Sequence, residues 1–278
     1  MQIRKLATGA LVGAAMMAAG SANAASTMYS NGYETDTAGW FTGPTDWSGA
    51  IVRETVADAG ITPFEGSFYG RFTQTNEAGG LTGPFNREGR SDVFPGTYSA
   101  RSAIFLDTSM GLGQGFDYSV ASNGSDNAHQ RDFIFHVTKD TSTGALLVGG
   151  SNNTNFNPRE DLETLHNVEI TSSDWYIFEH LFRDDGGVLA VDLNLYTSAG
   201  VLIFTETRSD PSDTIPGEVG GFRYAWFTNI DVDGGIAVDA TSLMTADAAV
   251  PVPAALPLML SVAGIFGGVA MRRRRARG

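Results

Sequence analysis

Residues 188–207 read VLAVDLNLYTSAGVLIFTET, and this stretch decides the fold class. Leu189, Val191, Leu193 and Leu195 alternate with Ala190, Asp192 and Asn194. One face is therefore apolar and the other small or polar, the period of a strand with one buried side. A helix would bring its apolar groups together every three or four positions, and this run does not. Thr197, Ser198, Ala199 and Gly200 then supply a turn into a second β-branched and aromatic run, so the pair predicts a hairpin.

The same two-residue period, punctuated by Gly, Asn, Asp and Pro, recurs on both sides of the hairpin. It predicts strands at 51–56, 67–74, 100–107, 116–120, 132–138, 145–149, 168–171, 174–182, 222–230 and 236–243. No segment between the two ends sustains a helical period. A dozen amphipathic strands in one open sheet would curl or split, so the predicted fold class is all-β: an antiparallel β-sandwich of jelly-roll type. About 220 residues suffice for one large core, so the lack of cysteine (Cys 0) calls for no compensating metal. It also removes disulfide, thiolate-metal and cysteine-nucleophile chemistry.

The two ends read as addresses. Arg4 and Lys5, an apolar run over 6–19, and Ala22-Asn23-Ala24 before Ala25 have the layout of a secretory signal, which places a signal peptide at 1–24 and a signal peptidase site at Ala22, Ala24 and Ala25. After a sandwich domain over 25–247, a linker over 248–254 contains Val250, Pro251, Val252, Pro253 and Ala254. Residues 255–271 are apolar and, at about 1.5 Å per residue, span roughly 26 Å as a transmembrane helix. Arg272, Arg273, Arg274, Arg275 and Arg277 form a basic tail over 272–278 that stays cytoplasmic and leaves the body outside.

Proline box, span and arginine block, in that order, resemble the C-terminal sorting signals of the PEP-CTERM class. The VPLPA variant is the nearest form, with Val252 where that variant has Leu. The resemblance covers only the tail. It implies a Gram-negative surface protein handled by an exosortase-type transpeptidase, through an inner-membrane intermediate, and it implies no activity.

A second resemblance runs over 132–243. Asp174, Trp175 and Tyr176, followed by the 189–195 strand, its turn and 201–205, are similar to concanavalin A-like lectin/glucanase sandwiches. Phe222, Arg223, Tyr224, Ala225, Trp226 and Phe227, with Ile236, Ala237, Val238 and Asp239 after them, look like the closing strands of such domains. This implies relatives that bind or cut glycans and proteins.

Charge narrows the partners. The chain carries −13, from 31 acidic and 18 basic residues, and seven of the basic ones lie in the two end segments. The body is therefore at −20, a field that repels nucleic acid and anionic lipid and favours divalent cations. Asn229, Asp231, Asp233 and Gly234 spell N-x-D-x-D-G, the first half of an oxygen-ligand loop for calcium. Position 12 of that loop is Ala240, with Asp239 one residue early, so no EF-hand results; a hairpin turn with Asp-Gly at its tip is the favoured alternative.

Catalytic patterns are missing. No Glu-x-Asp-x-x-Glu strand and no G-x-S-x-G elbow occurs, and Glu160, Asp161 and Glu163 sit in a loop-like segment where solvated carboxylates are the rule. His129, His136, His166 and His180 have no ligand spacing, and His136 and His180 are assigned to strand faces. Gly111, Gly113 and Gly115 read as a turn. Trp40, Trp47, Phe64, Phe68, Tyr69 and Phe72 concentrate aromatics near the mature start, either as core or as a platform for sugar rings.

Three functions fit these features: a non-catalytic surface or matrix module contacting extracellular polysaccharide or neighbouring proteins; a secreted carbohydrate-active hydrolase; and a purely structural adhesin. The first uses every strong signal and is preferred. Truncation after Asp247 is predicted to leave the sandwich folded and abolish surface retention, as read by circular dichroism and cell fractionation. Unfolding of the truncated body would contradict this reading.

Overall fold

A computed structural model describes residues 26–41, 49–74, 83–124, 126–152, 159–214 and 219–245. The signal-peptidase residues Ala22, Ala24 and Ala25, the 250–254 box, the 255–271 span and the terminal arginines lie outside these residues. Among the described residues no helix is long and apolar enough to cross a membrane.

Fifteen strands follow in chain order: β1 Ser26–Asn31, β2 Trp40–Phe41, β3 Gly49–Glu54, β4 Tyr69–Gln74, β5 Phe85–Asn86, β6 Tyr98–Leu106, β7 Gly115–Gly124, β8 His129–Lys139, β9 Leu146–Asn152, β10 Asn167–Ile170, β11 Asp174–Asp184, β12 Val188–Thr197, β13 Leu202–Thr214, β14 Val219–Thr228 and β15 Ile236–Thr245. They form two antiparallel sheets. One has the order β13-β12-β11-β6-β15-β4-β3, with β1 also on β15; the other runs β10-β9-β8-β7-β14-β5-β2. All the strands expected from the sequence are present, and the 188–207 hairpin is β12 and β13. The expected strand at 51–56 stops at Glu54, because Thr55 and Asp58 close a capping box on the short helix Val56–Ala59.

The alternation explains the core. Leu189, Val191, Leu193 and Leu195 of β12 meet Tyr176, Phe178 and Phe182 of β11 and, from the facing sheet, Phe116, Tyr118, Phe133, Phe135 and Val148. Tyr118 and Phe227 stack with ring centroids 4.5 Å apart, and Phe178 meets Phe135 edge-on at 5.0 Å. The glycine pair in β9 allows close approach on both sides. A Cβ on Gly150 would lie 2.5 Å from Leu193 of the facing sheet, and one on Gly149 would press on Leu162 of the 3-10 turn Arg159–Thr164 at 3.0 Å.

β15 has a break in register between Asp239 and Ser242, and Ala240 adopts a positive φ of 45° there. The break turns the buried Asp239 carboxylate onto the backbone N–H groups of Phe64 and Glu65, at 3.0 and 3.1 Å. Those contacts hold the 61–68 loop over a smaller cluster of Tyr69, Ala103, Trp175 and Ala237.

Two buried polar links join the sheets. The hydroxyls of Tyr118 and Ser102 meet at 3.1 Å, and His180, wholly buried, lies 3.1 Å from the carbonyl oxygen of Phe133 through Nε2. Burial lowers the His180 pKa to about 3, against the opposing hydrogen bond to Phe133. The unfolded chain takes up a proton near pH 6.5 that the folded chain refuses, so this contribution to stability is complete above that pH and declines as pH falls toward 3. Urea denaturation between pH 4 and 6 is expected to show a shallower pH slope in His180→Gln than in the parent, by up to about one proton. Equal slopes would contradict burial of a neutral imidazole.

Candidate functional site

The inner face of the seven-stranded sheet is core, so any chemistry it offers lies on its outer face. Strand period sends Asp117, Ser119 and Asn123 of β7, Asp132 and His136 of β8, Ser151 of β9, and Tyr224 and Trp226 of β14 to that side. Several of them are nevertheless deeply buried, with Asp117 at 1%, His136 at 2% and Ser151 at 6% exposure. Asp117, His136 and Ser151 are satisfied through the lateral register of the strands.

One polar chain crosses three strands. His136 Nδ1 lies 2.7 Å from Asp117 Oδ1, its Nε2 lies 2.7 Å from Ser151 Oγ, and Asn229 Nδ2 donates to Asp117 Oδ2 at 2.5 Å. The order Asp-His-Ser is that of a hydrolase triad, and sequence reading missed it because the three residues belong to separate strands. A nucleophile has to meet substrate, and this serine is buried between strands. The chain therefore serves as a satisfied polar network.

A second network opens to solvent. Asp132 Oδ1 accepts from Ser119 Oγ and from the Tyr224 hydroxyl, both at 2.9 Å, while Oδ2 lies 2.7 Å from His129 Nε2. Burial, then the adjacent Asp132 carboxylate, raise the Tyr224 hydroxyl pKa far above its ordinary value, so the phenol remains protonated and donates to Asp132. The tyrosine ring is thereby fixed. His129 lies nearly parallel to it at 6.1 Å, and Phe85 lies 4.8 Å from it on the other strand. Phe41 continues the row 4.9 Å from Phe85, and the Arg87 guanidinium covers both phenylalanines at 5.0 and 5.4 Å. Phe85, Arg87, Arg90, Arg223 and Tyr224 line a cavity of about 200 Å³ here.

Most of the aromatics near the mature start take the core role rather than the platform role. Trp40 and Phe72 are in the main core and Tyr69 in the smaller one; Phe64 packs on Trp175. Phe68 carries the Arg53 guanidinium 4.0 Å above its ring, and Trp47 lies outside the described residues. A row nearer the surface is formed by the half-buried Phe41 and Tyr224 on either side of the buried Phe85. The only hint in the sequence was the pair Arg87 and Arg90 beside Phe85 in an acidic body.

The other expected sites are placed as follows. The expected hairpin is instead a turn that crosses between the sheets, because β14 and β15 belong to different ones. Asp231 Oδ1 accepts from Gly115 N–H at 2.7 Å, and Asn229 bonds Asp117, so both tie the 229–235 turn to β7. Asp233 lines a different cavity, of about 220 Å³, with Asp107, Arg71 and Gln114. Among the described residues no group of three or more His, Asp or Glu is arranged to hold a metal ion. Glu163 is exposed on the 3-10 turn. His136 and His180 do lie in strands, and Gly111 and Gly113 do lie in the turn before β7, whereas Gly115, also expected in that turn, is already the first residue of the strand.

No family model matches the chain, and no curated protein matches it. Among solved structures it is similar to the CBM2 module of the evolved Dit of Lactobacillus casei BL23 phage J-1, at 11% identity over 79% of this chain and 95% of that one, with a TM-score of 0.42. It is similar also to a Lotus tetragonolobus seed lectin, at 11% identity over 78% and 96%, TM-score 0.35. A glycosyl hydrolase family protein from Mycobacterium fortuitum gives 15% identity over 78% and 99%, TM-score 0.34. The two-sheet fold itself stands on the strand pairings given above.

Removing the Ser151 hydroxyl leaves a buried imidazole nitrogen without a partner. Ser151→Ala is expected to lose about 1–3 kcal/mol of stability by urea denaturation. The parent protein is expected to resist an organophosphorus serine reagent; labelling at Ser151 by mass spectrometry would make it a nucleophile.

Proposed function

We propose that this chain is an exported, non-catalytic surface or matrix module that binds extracellular polysaccharide. In this reading a signal peptide exports it, and an exosortase-type enzyme sorts it through the 250–254 box. The observation that carries the binding role is the cavity beside the row Phe41, Phe85 and Tyr224. Aromatic faces stack on the C–H surfaces of sugar rings, and neighbouring polar groups orient the hydroxyls. Asp132 and Ser119 fix the tyrosine before any ligand arrives, which lowers the entropy lost on binding.

The reading is tested by co-sedimentation of the full chain with the source cell's exopolysaccharide, with and without millimolar calcium, followed by sugar analysis of the supernatant. Binding with intact polymer is expected. Tyr224→Phe should keep most of the affinity, whereas Tyr224→Ala should lose roughly threefold to tenfold, because the ring makes the contact. Released oligosaccharides would establish a hydrolase, and no sedimentation under any condition would leave a structural adhesin.

A further inference from the structure

Three of the eleven basic residues that remain between 25 and 247, Arg87, Arg90 and Arg223, line the one small cavity beside Phe85 and Tyr224. Such a concentration is unexpected on a body at −20, where most guanidinium groups are neutralised in place. Arg101 pairs with Glu179, Arg183 with Asp192 and Arg71 with Glu54. In the cavity only Arg90 has an ion pair, with Asp92 at 3.6 Å. Among the described residues no carboxylate forms an ion pair with Arg87 or Arg223.

Neutral acceptors position the group. Arg223 Nη1 donates to Asn123 Oδ1 at 2.7 Å and to the Asn127 carbonyl oxygen at 3.1 Å, and Arg90 Nη2 donates to Asn127 Oδ1 at 2.5 Å. These contacts orient both guanidinium groups, and among the described residues they leave the Arg223 charge without an ion-pair partner. Arg87 spreads over Phe41 and Phe85 and is exposed.

We infer that this cavity is a subsite for an acidic sugar, with Arg87 and Arg223 receiving a uronate carboxylate while the sugar ring lies against Tyr224. The inference rests on the polysaccharide reading and names the ligand's charge class. A guanidinium fork matches a carboxylate bidentately, and Tyr224 in the cavity wall supplies an apolar surface for a pyranose. An acidic peptide offers the carboxylate but no ring to lie on the tyrosine. Screening confines repulsion from the more distant body charges to about 8–10 Å at physiological salt, and beside the cavity the three arginines face Asp92, already paired to Arg90, and Asp132, already bonded to Tyr224 and close to His129.

Affinity electrophoresis of the detergent-solubilised full chain separates the outcomes, using gels cast with polygalacturonate, dextran sulfate, neutral dextran, the source exopolysaccharide or polyglutamate. Retardation by polygalacturonate that weakens with salt is expected. Arg87→Ala and Arg223→Ala should each weaken it by about tenfold, and Arg87→Lys should restore only part of the loss. Unchanged melting curves show that each variant is folded. Equal retardation by neutral dextran, or arginine variants that bind polygalacturonate like the parent, would overturn the acidic-sugar subsite and leave the polysaccharide reading standing. Preference for dextran sulfate would replace the uronate by a sulfate ester and overturn the assignment, as would polyglutamate binding of equal strength. Failure in every polysaccharide gel, the source polymer included, would remove both readings.

Discussion

Two sheets that are each apolar on one side have to meet face to face, and the remainder of this structure depends on that constraint. Once Leu189, Val191, Leu193 and Leu195 are committed inward, their neighbours in β11 and the facing rows of β7 and β8 are committed as well. A shift of one residue in any of these strands would exchange its whole core row for its polar row. The cross-sheet contacts of Phe178 with Phe135 and of His180 with Phe133 therefore act as register marks as well as sources of stability.

The outer faces then acquire characters that local pattern does not forecast. On the larger sheet the outward groups pair off as ions, Glu179 with Arg101 and Asp192 with Arg183. On the smaller sheet they form two hydrogen-bonded networks, centred on His136 and Asp132. The first is enclosed; the second borders the aromatic row and its arginines. Burial and exposure within one sheet face thus separate a polar network that supports the fold from one that meets solvent.

The sandwich was legible in the sequence because each long strand carries its own period, as 188–196 does most plainly. The shortest strands were not, since β2 and β5 contain two residues each and two residues have no period. The candidate site was hidden for a related reason. Phe85 lies on β5, Phe41 on β2 and Tyr224 on β14, and only the lateral order of the sheet brings them together. Aromatic residue types were visible near the mature start, but the side each faces depends on register, and Trp40 and Phe72 turned inward. For Asp231 the motif left both a turn and a ligand position open because it shows only sequence neighbours, while its hydrogen-bond partner Gly115 lies far away in the chain.

The pairing of β1 with β15 bears on how the body would carry load. The last described residue, Thr245, lies between Ser26 on one side and Tyr98 on the other, so the described chain ends on a strand bonded along both edges. Tension applied beyond Thr245 along the strand direction would be resisted by two ladders in shear, with many hydrogen bonds strained together. An edge strand pulled from its end would open one bond at a time. Load applied from that end would therefore enter the body through the interior of the larger sheet and not through its edge.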